Sequence, residues 1–359
     1  MNKMERASVK LIKQILVSSL VLTFMGASIS VSAKAYKTVL VHGFQSQQLT
    51  AIDPRKIDSD GEAYWAEYWG VLADERIDWP SYERVEGKIA SDYLWPKLRT
   101  MSEQGVCQPG CIFLTHSTGD LITRYIIDNQ ANWLENAGLE PLNIVATFDV
   151  AGAGGGSELA DLAVNVANGL ANPVVEAAVR AWLGRSVGQT LGVLNDLKVN
   201  NARQIASFPG DRTPRLRFVA DGDLYLNATK LFLPGIDDSV VAAHSACGAN
   251  QVAAFDSCSV NIGMDGKLSD QDGGVRHFLP YHYPMLMSDN YDHHSVISNQ
   301  ANGRVTTARS SIDIAPNKRV TFSTYEEEKG FWLWKKKYRY VRQSENTSMS
   351  ALLFAAIPE

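Results

Sequence analysis

Short apolar runs that read as strands alternate with longer stretches of helical spacing. This alternation narrows the fold more than any other feature of the chain. Lys37 to Val41 reads as a buried strand running into His42-Gly43-Phe44, and Cys111 to Thr115, Asn143 to Phe148 and Leu216 to Ala220 read as three more. Ala90 to Met101 has the character of a helix kinked at Pro96. Gly119 to Asn129 is a helix with Leu121, Ile122, Tyr125 and Ile126 at helical spacing. Strands and helices in alternation predict an α/β fold with a mostly parallel sheet. With 45% hydrophobic residues in 359, the chain has ample material for a large core. Gln45 to Lys88 is polar and reads as loops with short helices.

Two segments stand apart from this rhythm. Glu158 to Ile205 is rich in Ala, Val and Leu with few charges. It reads either as core helices or as a lid that shows an apolar face to lipid. Val320 to Val341 alternates on both sides of Glu326-Glu327-Glu328-Lys329-Gly330 and predicts a β-hairpin. Its Phe331-Trp332-Leu333-Trp334 run followed by Lys335-Lys336-Lys337 suits a membrane interface, although a hairpin packed on the body is the simpler expectation.

The amino terminus carries Lys3, Arg6, Lys10 and Lys13, then an apolar run from Ile15 to Ile29, then Val31-Ser32-Ala33. That is the layout of a cleaved secretory signal, with cleavage expected after Ala33, or less favourably after Ala35. Ser18, Ser19, Thr23 and Gly26 interrupt the run, and it is shorter than the roughly 20 apolar residues of a membrane span. A secreted or periplasmic location follows. In an oxidising compartment the four cysteines read as disulfides, Cys107 with Cys111 across a Gln-Pro-Gly turn and Cys247 with Cys258. Their spacing does not suit zinc. A formal net charge of −5 argues against a nucleic-acid partner. No cofactor or metal is expected. The expected organisation is a signal over 1–33, an α/β domain over 34–303 with a lid-like insertion at about 157–205, and a carboxyl-terminal extension over 304–359.

Thr115-His116-Ser117-Thr118-Gly119 lies between a predicted strand and a predicted helix. A sharp turn there lifts the serine hydroxyl clear of the sheet and aims backbone N–H groups of the helix start at developing negative charge. Gly119 fits such an elbow, while Thr115 stands where a glycine is usual, so its Cβ must be accommodated. Ser117 is the candidate nucleophile. The loop after the first strand is expected to supply one oxyanion-hole N–H from Phe44, and the residue after the nucleophile, Thr118, the other. His42 is expected to shape the loop rather than act as a base.

Chain order in such folds is nucleophile, acid, histidine. His277, His282, His293 and His294 lie late enough to serve, and His244 follows its candidate acid too closely. Either His293 or His294, entering a predicted final helix at Val296-Ile297, is the expected general base. Asp238 is the favoured acid. Asp272, Asp221 and Asp223 are the alternatives, each also readable as a turn carboxylate.

These residues resemble bacterial secreted lipases of the α/β-hydrolase superfamily. The likeness is carried by Val39 to Phe44, by Thr115 to Tyr125 with its Arg124-Tyr125 pair, and by Ala151 to Asp161. Asp238-Ser239-Val240-Val241 with Ser245-Ala246, and Asp289 to Gln300, complete it. The resemblance implies an α/β-hydrolase fold with a helical lid-like insertion. It runs in pieces from about Val39 to Gln300 and excludes the tail, whose own alternation predicts the carboxyl-terminal hairpin-like extension. It implies a serine lipase or esterase acting through an acyl-serine, and its register selects His294 over His293. A calcium ligand of that family falls at Val296 here, so a structural calcium is not expected. The expected partners are a lipid or small ester substrate and transient contact with a lipid surface. Some relatives use a dedicated folding chaperone, and the sequence decides neither for nor against one here. Acyl transfer to an alcohol, phospholipid or polyester cleavage, and a catalytically dead binding protein are the competing readings.

Overall fold

A computed structural model describes residues 35–205, 213–252, 282–288, 290–307 and 309–358, with the backbone alone at 66–68 and 282–285. The expected signal over 1–33, together with Cys258, Asp272 and His277, lies outside the described residues. The strands are β1 (Lys37–Val41), β2 (Glu75–Ile77), β3 (Cys111–His116), β4 (Ile144–Val150), β5 (Arg215–Ala220), β6 (His282–Ser288), β7 (Thr306–Thr307), β8 (Ser311–Ala315), β9 (Lys318–Thr321), β10 (Thr324–Lys329) and β11 (Lys336–Val341). The helices are α1 (Ile57–Gly70), α2 (Trp95–Glu103), α3 (Gly119–Asn136), α4 (Glu158–Ala167), α5 (Pro173–Leu183), α6 (Val199–Ile205), α7 (Ala243–Ala246) and α8 (Met349–Ala356).

Among the described residues, nine strands form one sheet in the order β10-β11-β7-β6-β5-β4-β3-β1-β2. The six from β6 to β2 in that order run parallel. β7, β11 and β10 extend the β6 edge antiparallel to their neighbours. The carboxyl-terminal segment therefore continues the main sheet. β8 and β9 form a separate hairpin.

Parallel strands covered on both faces should be buried along their whole length, and every residue of β3 and β5 is. Alternation then deals the side chains to opposite layers. Val39, Val41 and Phe113 join Leu121, Ile122 and Ile126 of α3 on one face. Leu40, Ile112, Leu114, Phe148 and Phe218 join Trp65 and Trp69 of α1 and Leu353 and Phe354 of α8 on the other.

Several local expectations change. Pro96 sits in the first turn of α2 and does not kink a longer helix, because a proline there sacrifices no helical hydrogen bond. A π-helical stretch over Val85–Leu94 precedes it. The polar region before Lys88 contains the 14-residue α1. The helix expected at Val296 is a single 3₁₀ turn, Ser295–Ile297, ended by the extended backbone of Ser298. Cys107 and Cys111 are bridged, and Cys247 is buried and disulfide-bonded. Among the described residues, no helix is long and apolar enough to cross a membrane.

Candidate active site

The loops at the carboxyl ends of β1, β3, β4, β5 and β6 meet on one side of the sheet, and the expected nucleophile stands there. Ser117 directly follows β3 with φ 55°, a left-handed conformation that a serine holds only under constraint. Two flanking interactions impose it. The Ser117 N–H donates to Val150 O at 3.2 Å, and Ser117 O accepts the Ala153 N–H at 2.8 Å. At Gly119 a Cβ would lie 2.1 Å from Val41 O, so only glycine lets α3 start this close to β1.

Thr115 meets the crowding in a different way. Its hydroxyl donates to Asp149 Oδ1 at 2.9 Å, on the neighbouring strand β4. Asp149 also accepts from Thr147 at 2.7 Å and from Arg217 at 3.0 Å. Arg217 in turn grips Asp120 through two bonds of 2.9 and 2.6 Å, and Asp120 accepts the Gly154 N–H at 2.7 Å. Arg217, Asp120 and Asp149 are fully buried. Burial first, then the Asp120 charge, push the Asp149 carboxyl up to about 6, against the pull of Arg217. The polar residue in the elbow thus continues into a charged network beneath it.

His293, not His294, stands beside the serine. His293 Nε2 accepts from Ser117 Oγ at 2.9 Å, and its Nδ1–H donates to Asp238 Oδ2 at 2.7 Å. The other Asp238 oxygen accepts the Val240 and Val241 N–H groups at 3.0 and 2.7 Å, which fixes the carboxylate. The His293 N–H donates to Asp238 O at 3.1 Å, so the two loops are also tied through their backbones. The register that selected His294 is off by one position. His294 turns to the rim, where its Nε2 accepts from the Tyr225 hydroxyl at 2.8 Å. Burial, then the neighbouring His293, lower the His294 pKa.

The remaining candidates lie elsewhere. Asp223 is exposed and paired with Lys230. The buried His244 receives Arg203 at 3.0 Å on Nδ1 and donates from Nε2 to Glu158 at 2.7 Å, pinning α4 and α6 to the body. Val296, at the position of the resembled family's calcium ligand, is buried among apolar side chains. Phe44 and Thr118 border the same cavity as Ser117 and His293. Among the described residues, neither of their amides has a protein acceptor.

Sequence reasoning assigned no role to His116 or Tyr64. His116 Nε2–H donates to the His293 carbonyl at 2.9 Å, and its Nδ1 accepts from the Tyr64 hydroxyl. Burial holds His116 well below the usual histidine range, so it stays neutral and keeps that tautomer. From α1, the Trp69 indole donates to Ile297 O at 2.8 Å. The histidine loop is therefore braced from below and behind. Only the position of His116, adjacent to the serine, could have signalled this.

His42 is structural, as expected. Stacked on Trp79 at 5.0 Å, it donates from Nδ1 to Gly43 O at 2.8 Å and accepts the Trp79 N–H on Nε2 at 3.2 Å. Burial lowers its pKa to about 4. An unfolded histidine binds its proton near pH 6.5, so between pH 6.5 and about 4 the unfolded chain holds more protons. The stability His42 contributes is thus complete above pH 6.5 and lost as pH falls, by roughly 3 kcal/mol in all at about 1.36 kcal/mol per unit. Denaturant unfolding at pH 7 and pH 4.5 checks this. The wild type should weaken more steeply than His42→Gln, and equal slopes would exclude His42 as a source.

A parallel sheet whose strand enters a helix through a left-handed serine, with histidine and aspartate delivered from later loops, is the architecture of an α/β-hydrolase. No family model matches the sequence, and no curated protein matches it. Among solved structures, the chain is similar to the mature form of the Bacillus licheniformis lipase BlEst2, at 16% identity over 74% of this chain and 87% of that one, TM-score 0.42. It is also similar to the metagenomic carboxyl esterase MGS0156, at 15% identity over 76% and 69%, TM-score 0.42. A third likeness is to lipase 1 from Pelosinus fermentans, at 13% over 74% and 94%, TM-score 0.39. The fold is defined by the sheet order and the elbow themselves.

Proposed function

We propose that the protein is an exported serine esterase that cleaves carboxylic esters with short acyl groups. The observation that carries the reading is the unbroken line from Asp238 through His293 to Ser117, at 2.7 and 2.9 Å. In the first step His293 Nε2 takes the Ser117 proton as Oγ attacks the ester carbonyl. The N–H groups of Phe44 and Thr118 receive the oxyanion, and Asp238 steadies the imidazolium. Collapse of the tetrahedral intermediate passes the proton to the departing alcohol and leaves acyl-Ser117. Water then attacks with the same base, and the carboxylic acid departs.

The size preference follows from the cavity. It measures about 230 Å³ and is walled by Phe44, Trp182, Leu197, Tyr225 and Val240. That is below the roughly 300–1,000 Å³ of pockets that hold drug-sized ligands, which suits a short acyl chain. Trp182 and Leu197 come from the insertion between β4 and β5, and Trp182 stands against Phe44 at 5.9 Å.

A fluorophosphonate and a graded series of chromogenic esters test the reading. The reagent should label Ser117 once per chain and stop turnover. Acetyl and butyryl esters should be cleaved at least tenfold faster than palmitoyl. Folded protein that neither reacts with the phosphonate nor cleaves any ester would remove the reading. A preference for palmitoyl would remove the size argument alone.

A further inference from the structure

The hairpin of β10 and β11 is firmly built at its base and unsupported at its tip. At the base, β11 pairs with β7 through Tyr340 and Thr306. The Arg304 guanidinium lies 3.8 Å over the Tyr340 ring, bonds the Tyr325 hydroxyl at 2.6 Å and pairs with Glu327. At the tip, Phe331, Trp332, Leu333 and Trp334 are 84, 76, 81 and 80% exposed. Contiguous large apolar side chains in water mark a contact surface.

The tip is ordered by its own backbone. The Trp334 N–H donates to Phe331 O at 3.0 Å, closing a 3₁₀ turn. Gly330 has φ 112°, and a Cβ there would sit 2.5 Å from Trp334 O, so glycine is required for the turn to close. Four outward apolar side chains are held there without a protein partner among the described residues.

Charge names the occupant. From 326 to 339 the hairpin carries Lys329, Lys335, Lys336, Lys337 and Arg339 against Glu326, Glu327 and Glu328, of which Glu328 lies 3.6 Å from Lys335. The balance is basic, whereas the whole protein has a net charge of −5, and the three lysines of 335–337 directly follow the apolar tip. All four lysines are exposed. Aromatic rings at a polar–apolar boundary with lysines just behind them match a bilayer interface, where the rings sit at headgroup depth and the lysines meet anionic lipid. We propose that this tip docks the protein on an anionic phospholipid bilayer.

The register also sets where the active site points. Met287 of β6 and Tyr340 of β11 both pair with Thr306, so β11 runs in the direction of β6 and its Val341 end lies level with the carboxyl ends of the sheet. The tip lies beyond the other end of β11, six residues or about 20 Å away at roughly 3.3 Å per residue. The tip therefore acts as a tether distant from Ser117, independent of whether Ser117 is the nucleophile.

Sedimentation with vesicles of mixed phosphatidylglycerol and phosphatidylcholine, and of phosphatidylcholine alone, tests the tether. The wild type is compared with a variant carrying Phe331→Ser, Trp332→Ser, Leu333→Ser and Trp334→Ser, and with one carrying Lys335→Glu, Lys336→Glu and Lys337→Glu. All three chains share the same amino terminus, so any difference belongs to the tip. The wild type should bind the anionic vesicles, each variant at least tenfold more weakly. Added salt should release the wild type, and turnover of a soluble ester, which also reports folding, should not change. Wild type left in the supernatant would overturn the proposal, as would a serine variant that binds equally well. Light scattering that shows the serine changes dissolving a dimer, with vesicle binding unaltered, would assign the tip to a second copy of the chain and also overturn it.

Discussion

His293→Ala should lower kcat for a soluble ester by about 10⁴–10⁶-fold, the range found when the histidine of a serine triad is lost or cannot act. His294→Ala should stay within about tenfold of wild type. The contrast follows from geometry. His293 is the imidazole between Ser117 Oγ and Asp238 Oδ2, whereas His294 spends its Nε2 on the Tyr225 hydroxyl at the rim. Losing His294 frees that hydroxyl and alters the wall of the cavity, so KM should move more than kcat. The two substitutions are alike in composition and adjacent in sequence, and each variant can be checked for folding by its thermal midpoint. A reversed ranking, with His294→Ala the dead enzyme, would show that the loop rearranges before catalysis and that the described pairing is a resting state.

Arg217→Met should cost about 3–5 kcal/mol of stability, the usual consequence of stranding a buried charge by deleting its partner. Two carboxylates are stranded here. Asp120 and Asp149 converge on the guanidinium at 2.6 and 3.0 Å, and all three groups are excluded from water. Asp149 is already raised by burial and by Asp120, and without Arg217 it would be driven further toward its neutral form. Urea unfolding measures the loss. Adding Asp120→Asn and Asp149→Asn to Arg217→Met should restore part of it, because the buried charges are removed together. A loss below about 1 kcal/mol for the single variant would mean that the network is solvated in ways the static arrangement does not convey.

Much of this architecture is legible in the residues because the central strands are uniformly apolar. β1, β3, β4 and β5 lie where the apolar runs lie, and the elbow follows from a serine placed between strand and helix. What escaped notice did so for physical reasons. Along α1 the buried Ile57, Gly61, Trp65 and Trp69 recur every four residues in an otherwise acidic, polar segment, so its core stripe is narrow. β6 contains His282, Tyr283 and Pro284, which do not read as a buried strand. The choice between His293 and His294 cannot be made from local pattern, because adjacent residues in a turn point in unrelated directions. Only contact with Asp238 and Ser117, 55 and 176 residues away, decides it. Thr115 was visible as a departure from the usual elbow, but its compensation through Asp149 depends on strand register that no linear reading contains.

Among the described residues, the sheet ends on β10 at one side and β2 at the other. An outermost strand offers unpaired amides and carbonyls that can recruit a strand from another molecule and seed aggregation. At three residues, β2 is too short to serve as such a template. On β10, Glu326, Glu327 and Glu328 stand in succession, so a second copy laid against it would bring like charges face to face. Growth along the sheet is thereby discouraged at both margins, and the molecule can present its greasy turn to the surroundings without being drawn into fibrils.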